Sequence, residues 1–101
     1  MTIAFDIDGT ITIDPDTFYR VMREFRMSGW ITIVVTGSEQ PLEKLMRLKI
    51  FYDEIPVIVS NGELKERAAL KAGYKVDVWV DDMPGTIQEC AIIKPAVDDE
   101  L

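Results

Sequence analysis

The chain has 101 residues, of which 48% are hydrophobic and 29% charged, so it can form one domain with a single core and has no room for a second, substrate-binding domain. Eighteen acidic against eleven basic residues give a formal net charge of −7, which argues against binding of nucleic acid or anionic membrane through general electrostatic attraction. Histidine is absent, which excludes mechanisms that use imidazole, and the single cysteine, Cys90, excludes an intrachain disulfide.

Short apolar segments alternate with amphipathic ones along the chain. Segments rich in isoleucine and valine and bounded by Gly, Asp, Asn or Pro predict four buried strands, at Thr2–Ile7, Trp30–Val35, Pro56–Val59 and Val76–Val80. A fifth, short edge strand is predicted at Ala91–Ile93. Because buried parallel strands are apolar on both faces, the pattern predicts an α/β fold. We expect a Rossmann-like three-layer α/β/α sandwich with a mainly parallel sheet of about five strands.

Helices are predicted between the strands. The first begins at Pro15, with Asp14 as its N-cap, because apolar residues recur at helical spacing after it. The second follows Pro41, the third runs over Glu63–Ala72, and a brief helix begins near Pro84.

Residues 1–95 are predicted to form a single domain, and residues 96–101 an acidic tail. No apolar run approaches the roughly 20 residues of a membrane span, and Met1-Thr2-Ile3 lacks the basic region of a signal peptide. We therefore expect a cytoplasmic protein with no membrane partner.

Polar residues follow the predicted strands at their carboxyl ends. In chain order these are Asp6-Ile7-Asp8-Gly9-Thr10, Thr36-Gly37-Ser38, Ser60-Asn61-Gly62 and Asp81-Asp82. Ligands of open parallel sheets bind at this edge, near the point where the strand order reverses. We therefore expect these residues to surround one site.

Four carboxylates belong to that edge: Asp6, Asp8, Asp81 and Asp82. Alternation along a strand predicts that Asp6 and Asp8 point to the same side. A cluster of this kind is unfavourable unless a cation occupies it or some members are protonated. Hard oxygen ligands without histidine or thiol favour Mg²⁺, so we predict a magnesium site. For any single aspartate the alternative is an ordinary turn residue.

These motifs together resemble the haloacid dehalogenase (HAD) superfamily. The resemblance rests on the segment 6–10 after an apolar strand, the segment 33–38 closing the second strand, a lysine before the fourth strand, and Val78-Trp79-Val80-Asp81-Asp82 closing the fourth. The motifs occur in order over residues 1 to about 90. The resemblance implies a strand order of 3-2-1-4-5 and a Mg²⁺-dependent phosphatase, since the second aspartate of the first motif favours phosphoryl transfer over dehalogenation.

The resemblance also implies roles for the acidic residues. Asp6 would be the nucleophile that attacks phosphorus and forms an aspartyl-phosphate. Asp8 would be the acid/base that protonates the leaving oxygen and later activates water. Asp81 would coordinate Mg²⁺ together with the Asp6 carboxylate and the Asp8 backbone carbonyl, and Asp82 would act through water.

Phosphate binding is expected from Thr36, Gly37 and Lys65. By the resemblance, Thr36 would hydrogen-bond the transferring phosphoryl group and Lys65 would neutralise its charge. The amides of Gly37 and Ser38 open the second predicted helix, where an anion is favoured. Lys71 is the alternative to Lys65, but Lys65 lies in the first turn of its helix, nearer to the strand ends.

The sequence leaves no room for the cap domain that many HAD relatives insert. Only Ile11–Asp14 separate the first motif from the first helix, and Ser60–Glu63 link the third strand to the third helix. The implied open site suits a substrate large enough to exclude water, such as a protein phosphoester or a phosphorylated nucleic-acid end. Alternatively, a second copy of the chain covers the site, or the substrates are small phosphate monoesters.

A non-catalytic, receiver-like phospho-signalling or binding module is the alternative function. Receiver domains also group acidic residues, threonine and lysine on a five-stranded parallel sheet, but their phospho-accepting aspartate closes the third strand. Here that strand ends in Val59-Ser60-Asn61. This difference favours the enzyme.

Overall fold

The computed structural model describes residues 1–37, 41–47 and 54–88, which form an α/β fold of alternating strands and helices. The strands are β1 (Thr2–Phe5), β2 (Ile31–Thr36), β3 (Val57–Val59) and β4 (Val78–Val80). The helices are α1 (Pro15–Met27), α2 (Pro41–Arg47) and α3 (Lys65–Lys71). Three-residue 3₁₀ turns lie at Ile11–Ile13 and Pro84–Thr86, the second where a brief helix is predicted.

The four described strands form one parallel sheet in the order β3-β2-β1-β4. The predicted parallel α/β sheet is confirmed over these strands, and the arrangement is compatible with a Rossmann-like fold. The predicted fifth strand, Ala91–Ile93, and the tail 96–101 lie outside the described residues. Strand order reverses between β1 and β4, because β2 and β3 follow on one side of β1 and β4 lies on the other.

Helix α1 begins where the sequence predicts. Asp14 caps it, accepting hydrogen bonds from the Thr17 backbone N–H at 3.3 Å and from the Thr17 hydroxyl at 2.7 Å, and Pro15 occupies the first helical position. These hydrogen bonds lower the pKa of Asp14 below its usual value of 3.8. The predicted N-cap is therefore confirmed.

Apolar side chains cover both faces of the sheet, since successive residues of a strand point to opposite sides. Phe5 packs in a cluster with Met22 of α1 and Leu45 of α2. Ala4, the next residue along β1, packs in a second cluster with Ala69 of α3. Helices thus lie on both faces, and the carboxyl ends of the strands are left for the site.

Two connections matter for access to that edge. The chain between β1 and α1 is filled by the 3₁₀ turn Ile11–Ile13, and the chain between β3 and α3 by a turn in which the Glu63 N–H donates to the Ser60 carbonyl at 3.0 Å. Neither of these two described connections carries an inserted domain, as the sequence predicts.

Candidate functional site

A cleft of about 810 Å³ opens at the carboxyl edge of the sheet. Its lining includes five residues with a predicted catalytic or phosphate-binding role, namely Asp6, Asp8, Thr36, Gly37 and Lys65. The structure therefore places the ends of three elements, β1, β2 and α3, around one cavity at the edge where the sequence predicts a site.

Strand register brings Asp6 beside Asp81. Phe5 of β1 is paired with Val80 of β4, and each aspartate is the next residue along its strand. The Asp6 N–H donates to the Val80 carbonyl at 3.0 Å, which continues the ladder by one bond beyond the end of β1. The two carboxylates thus lie at the reversal point between β1 and β4.

Lys65 places its ammonium between these two carboxylates. The Lys65 Nζ is 3.0 Å from Asp6 Oδ1 and 2.6 Å from Asp81 Oδ2. The three side chains are 7%, 9% and 1% exposed, in the order Lys65, Asp6, Asp81. The second oxygen of Asp81 accepts from the Met83 N–H at 2.8 Å. Each buried charge therefore has a charged or hydrogen-bonded partner, as burial of ions requires.

The position of Lys65 follows from how α3 begins. It is the first residue of that helix and comes after a turn in which Asn61 and Gly62 both have positive φ, 51° and 84°. The Glu66 N–H donates to the Ile87 carbonyl at 3.1 Å, which ties the start of α3 to the chain beyond the Pro84–Thr86 turn. This turn directs Lys65 towards the cleft, which it lines.

Burial and ion pairing act in opposite directions on these pKa values. Burial raises the pKa of Asp6 above 3.8, although hydrogen bonding to Lys65 opposes the rise. Burial alone would lower the pKa of Lys65, but hydrogen bonds to Asp81 and Asp6 outweigh it, and the pKa lies above 10.5. Lys65 is therefore positively charged at neutral pH.

The other candidate lysine, Lys71, lies at the opposite end of α3. Its side chain is 70% exposed and pairs with Glu63. The structure thus brings Lys65 and not Lys71 to Asp6.

Asp82 completes a group of three carboxylates. Asp6, Asp81 and Asp82 each offer an oxygen, and these three atoms lie within 4.8 Å of one another. Gly9 permits this approach, because its φ is +77° and a Cβ there would lie 2.3 Å from Asp82 Oδ2. Three carboxylate oxygens are a donor set that fits a hard divalent cation, whose charge would offset their repulsion.

The Asp8 carboxylate pairs with a different lysine from the Asp6 carboxylate. The predicted first strand runs to Ile7, whereas β1 ends at Phe5 and the chain turns over residues 7–10, so strand alternation does not extend to Asp8. Its carboxylate is 59% exposed, and both oxygens lie 2.8 Å from the Nζ of Lys44 on α2. Strand alternation therefore does not apply to Asp8, although both residues line the same cleft.

Thr36 and Gly37 lie at the end of β2. Thr36 is buried, and its carbonyl accepts from the Ser60 N–H at 2.9 Å, which holds the β2 and β3 ends together. Gly37 is exposed, and the connection from it to Pro41 lies outside the described residues. The expected contribution of the Gly37 and Ser38 amides to phosphate binding therefore stays a prediction.

Several residues of the site carry no recognisable signal in the sequence. Lys44 contacts Asp8, and Arg67, Met83 and Thr86 line the cleft. None belongs to a motif, and Lys44 could be placed only by knowing where α2 packs. Spacing alone does not supply that information.

Among the described helices, none combines the length and apolar character needed to cross a membrane. No protein-family profile, no curated protein sequence and no solved structure matches this chain. The functional interpretation therefore rests on the motifs and on the geometry of the cleft.

Proposed function

We propose that this protein is a Mg²⁺-dependent phosphatase of the HAD type that hydrolyses phosphate monoesters through an aspartyl-phosphate on Asp6. One observation carries the proposal. The Asp6 carboxylate lines the cleft, 3.0 Å from a buried ammonium and within a group of three carboxylates that fits a divalent cation.

The first step transfers the phosphoryl group to the enzyme. A carboxylate oxygen of Asp6 attacks phosphorus, the bond from phosphorus to the leaving oxygen breaks, and that oxygen takes a proton from Asp8. In the second step water attacks phosphorus, gives a proton to Asp8, and the bond between phosphorus and the Asp6 oxygen breaks. Inorganic phosphate leaves, and both aspartates return to their starting states.

Charge is the main obstacle, because a carboxylate and a phosphate dianion repel each other. The Lys65 ammonium, positively charged at neutral pH, lies beside Asp6 and would stabilise the negative charge on the transferring group. Asp6, Asp81 and Asp82 would hold Mg²⁺, which when bound would supply the remaining positive charge. Thr36 would orient the phosphoryl group from the end of β2.

The open cleft bears on the substrate. Because the described connections after β1 and β3 carry no inserted domain, water must be excluded by the substrate or by a second subunit. We propose a phosphorylated substrate of macromolecular size, such as a protein phosphoester or a phosphorylated nucleic-acid end.

The test is hydrolysis of 4-nitrophenyl phosphate by the purified chain in the presence of Mg²⁺. We expect activity that EDTA removes, a loss of kcat of at least about a thousandfold in Asp6→Asn, and a loss of about a hundredfold in Asp8→Asn. Asp77→Asn, at the other end of β4, is the matched control and should retain activity.

Substrate class would be resolved by a parallel screen of phosphorylated metabolites, phosphopeptides and 5′- or 3′-phosphorylated oligonucleotides. A folded protein that binds Mg²⁺ but hydrolyses none of them would contradict the proposal. Stable phosphorylation by acetyl phosphate without turnover would instead indicate the receiver-like function.

A further inference from the structure

The ion pair between Asp8 and Lys44 joins the loop after β1 to helix α2. One ammonium contacts both carboxylate oxygens at 2.8 Å, so the carboxylate is held at two points and its rotation is restricted. Within the described parts of the chain, Lys44 is the partner that holds the Asp8 side chain. An exposed aspartate without such a contact would sample several rotamers.

Lys44 itself is held in place by its helix. The next residue, Leu45, is fully buried in the core cluster that contains Phe5 and Ile7, on either side of Asp6. The Lys44 side chain is 29% exposed, so most of its surface lies against the protein. Packing of α2 on the sheet thus sets where the ammonium lies relative to the loop after β1.

We infer that Lys44 is a positioning residue for Asp8, an inference that rests on the proposed function. Proton transfer to a leaving oxygen requires the acid to point at that oxygen, and small misplacements are costly for rate. Exposed ion pairs contribute little to stability, so the pair is not needed to hold the fold together. Lys44 fixes the direction of the Asp8 carboxylate at the mouth of the cleft.

The test compares two aryl phosphates whose leaving groups differ in their need for a proton. Phenol is a weaker acid than 4-nitrophenol, so hydrolysis of phenyl phosphate depends more on Asp8. We expect Lys44→Met to lower kcat/KM about tenfold for phenyl phosphate and about twofold for 4-nitrophenyl phosphate. Lys44→Arg, which keeps the charge, should recover most of the loss, and Arg47→Met, on the same helix, should match the wild type.

The Asp8→Asn background supplies the second measurement. If Lys44 acts through Asp8, adding Lys44→Met to Asp8→Asn should change kcat/KM for phenyl phosphate by less than about twofold. Three results would overturn the inference. Lys44→Met could lower kcat/KM equally for both substrates, or it could raise kcat/KM. It could also lower kcat/KM in the Asp8→Asn background by as much as it does in the wild type.

The two proposals can fail separately. Wild-type activity that Asp6→Asn abolishes and Lys44→Met leaves intact would remove the role of Lys44 and keep the phosphatase. A wild-type chain that is inactive on both phosphates, and on the wider screen, would overturn both.

Discussion

Aspartates flank the β1–β4 strand pair at both of its ends, and the two ends use them differently. At the amino end, Asp77 Oδ2 accepts from the Thr2 N–H at 2.8 Å, while the Asp77 N–H donates to the Thr2 carbonyl at 2.8 Å. At the carboxyl end, three carboxylates cluster, and two of them, Asp6 and Asp81, contact one buried ammonium. The first arrangement completes backbone hydrogen bonding, and the second leaves negative charge in excess.

The difference shows which surroundings allow a carboxylate to bind a cation. Asp77 is exposed, and a single backbone donor suffices for it because water solvates the rest of its charge. Asp6 and Asp81 have almost no access to water, and Lys65 balances one of the three negative charges in their cluster. The carboxyl end is therefore able to bind a further cation, whereas the amino end has no electrostatic need for one.

The largest expected effect comes from removing the buried ammonium. Lys65→Met should lower the free energy of unfolding by about 3 kcal/mol without Mg²⁺, because it leaves Asp6 and Asp81 buried without their cation. The exposed pair of Lys71 with Glu63 is the control, and Lys71→Met should change stability by less than about 0.5 kcal/mol. Urea unfolding measures both.

The effect of Mg²⁺ on the stability of Lys65→Met tests the cation site directly. If the carboxylates bind Mg²⁺, its addition should raise the unfolding midpoint of Lys65→Met, since a ligand that binds only the folded state stabilises it. An unchanged midpoint at millimolar Mg²⁺ would contradict the cation site at the carboxyl end.

The next largest effect tests the close approach of the Asp82 carboxylate to Gly9. Gly9→Ala should destabilise the protein by about 2 kcal/mol, because alanine disfavours positive φ and its Cβ would overlap the Asp82 carboxylate. Gly29→Ala separates the two causes, since Gly29 has a φ of +91° and no atom within 4 Å of the added Cβ. We expect the thermal midpoint to fall further in Gly9→Ala than in Gly29→Ala, and Mg²⁺ binding to weaken only in Gly9→Ala. Equal behaviour would contradict the contact.

A smaller effect is expected at the amino end. Asp77→Ala should lower stability by about 1 kcal/mol, because the Thr2 N–H loses its acceptor. Asp77→Asn keeps an acceptor oxygen and should recover most of this loss. Both variants should keep the wild-type kcat per folded molecule, and a loss of kcat in Asp77→Asn would mean that the two ends of β4 are not independent.

The smallest effect concerns Asp14, another carboxylate that serves the backbone. Its pKa is lowered in the folded state by hydrogen bonds from Thr17, so its contribution to stability is present above the unfolded value of 3.8 and is lost as pH falls through the lower folded value. Asp14→Ala should therefore lower the thermal midpoint at pH 7, with the difference from wild type shrinking on acidification. Asparagine can cap the helix but has no carboxyl group to titrate. The difference in thermal midpoint between Asp14→Asn and Asp14→Ala should therefore not depend on pH.

Much of the fold follows from local sequence. The apolar runs predict the ends of the four described strands to within two residues, and the Asp14-Pro15 pair predicts the start of α1. Both succeed because strand burial and helix capping depend on neighbouring residues. The predicted first strand is two residues too long, since Ile7 is buried but belongs to the turn that follows. Burial alone does not distinguish a strand end from a buried turn.

Amino-acid composition limits the chemistry available at the carboxyl edge to oxygen ligands and lysine, without imidazole. Which ammonium meets which carboxylate depends instead on how the elements pack. Lys65 reaches Asp6, Lys44 reaches Asp8 and Lys71 reaches Glu63. These pairings depend on the β1–β4 register and on where α2 and α3 pack, and an ion pair forms only across a few ångströms that sequence spacing does not encode.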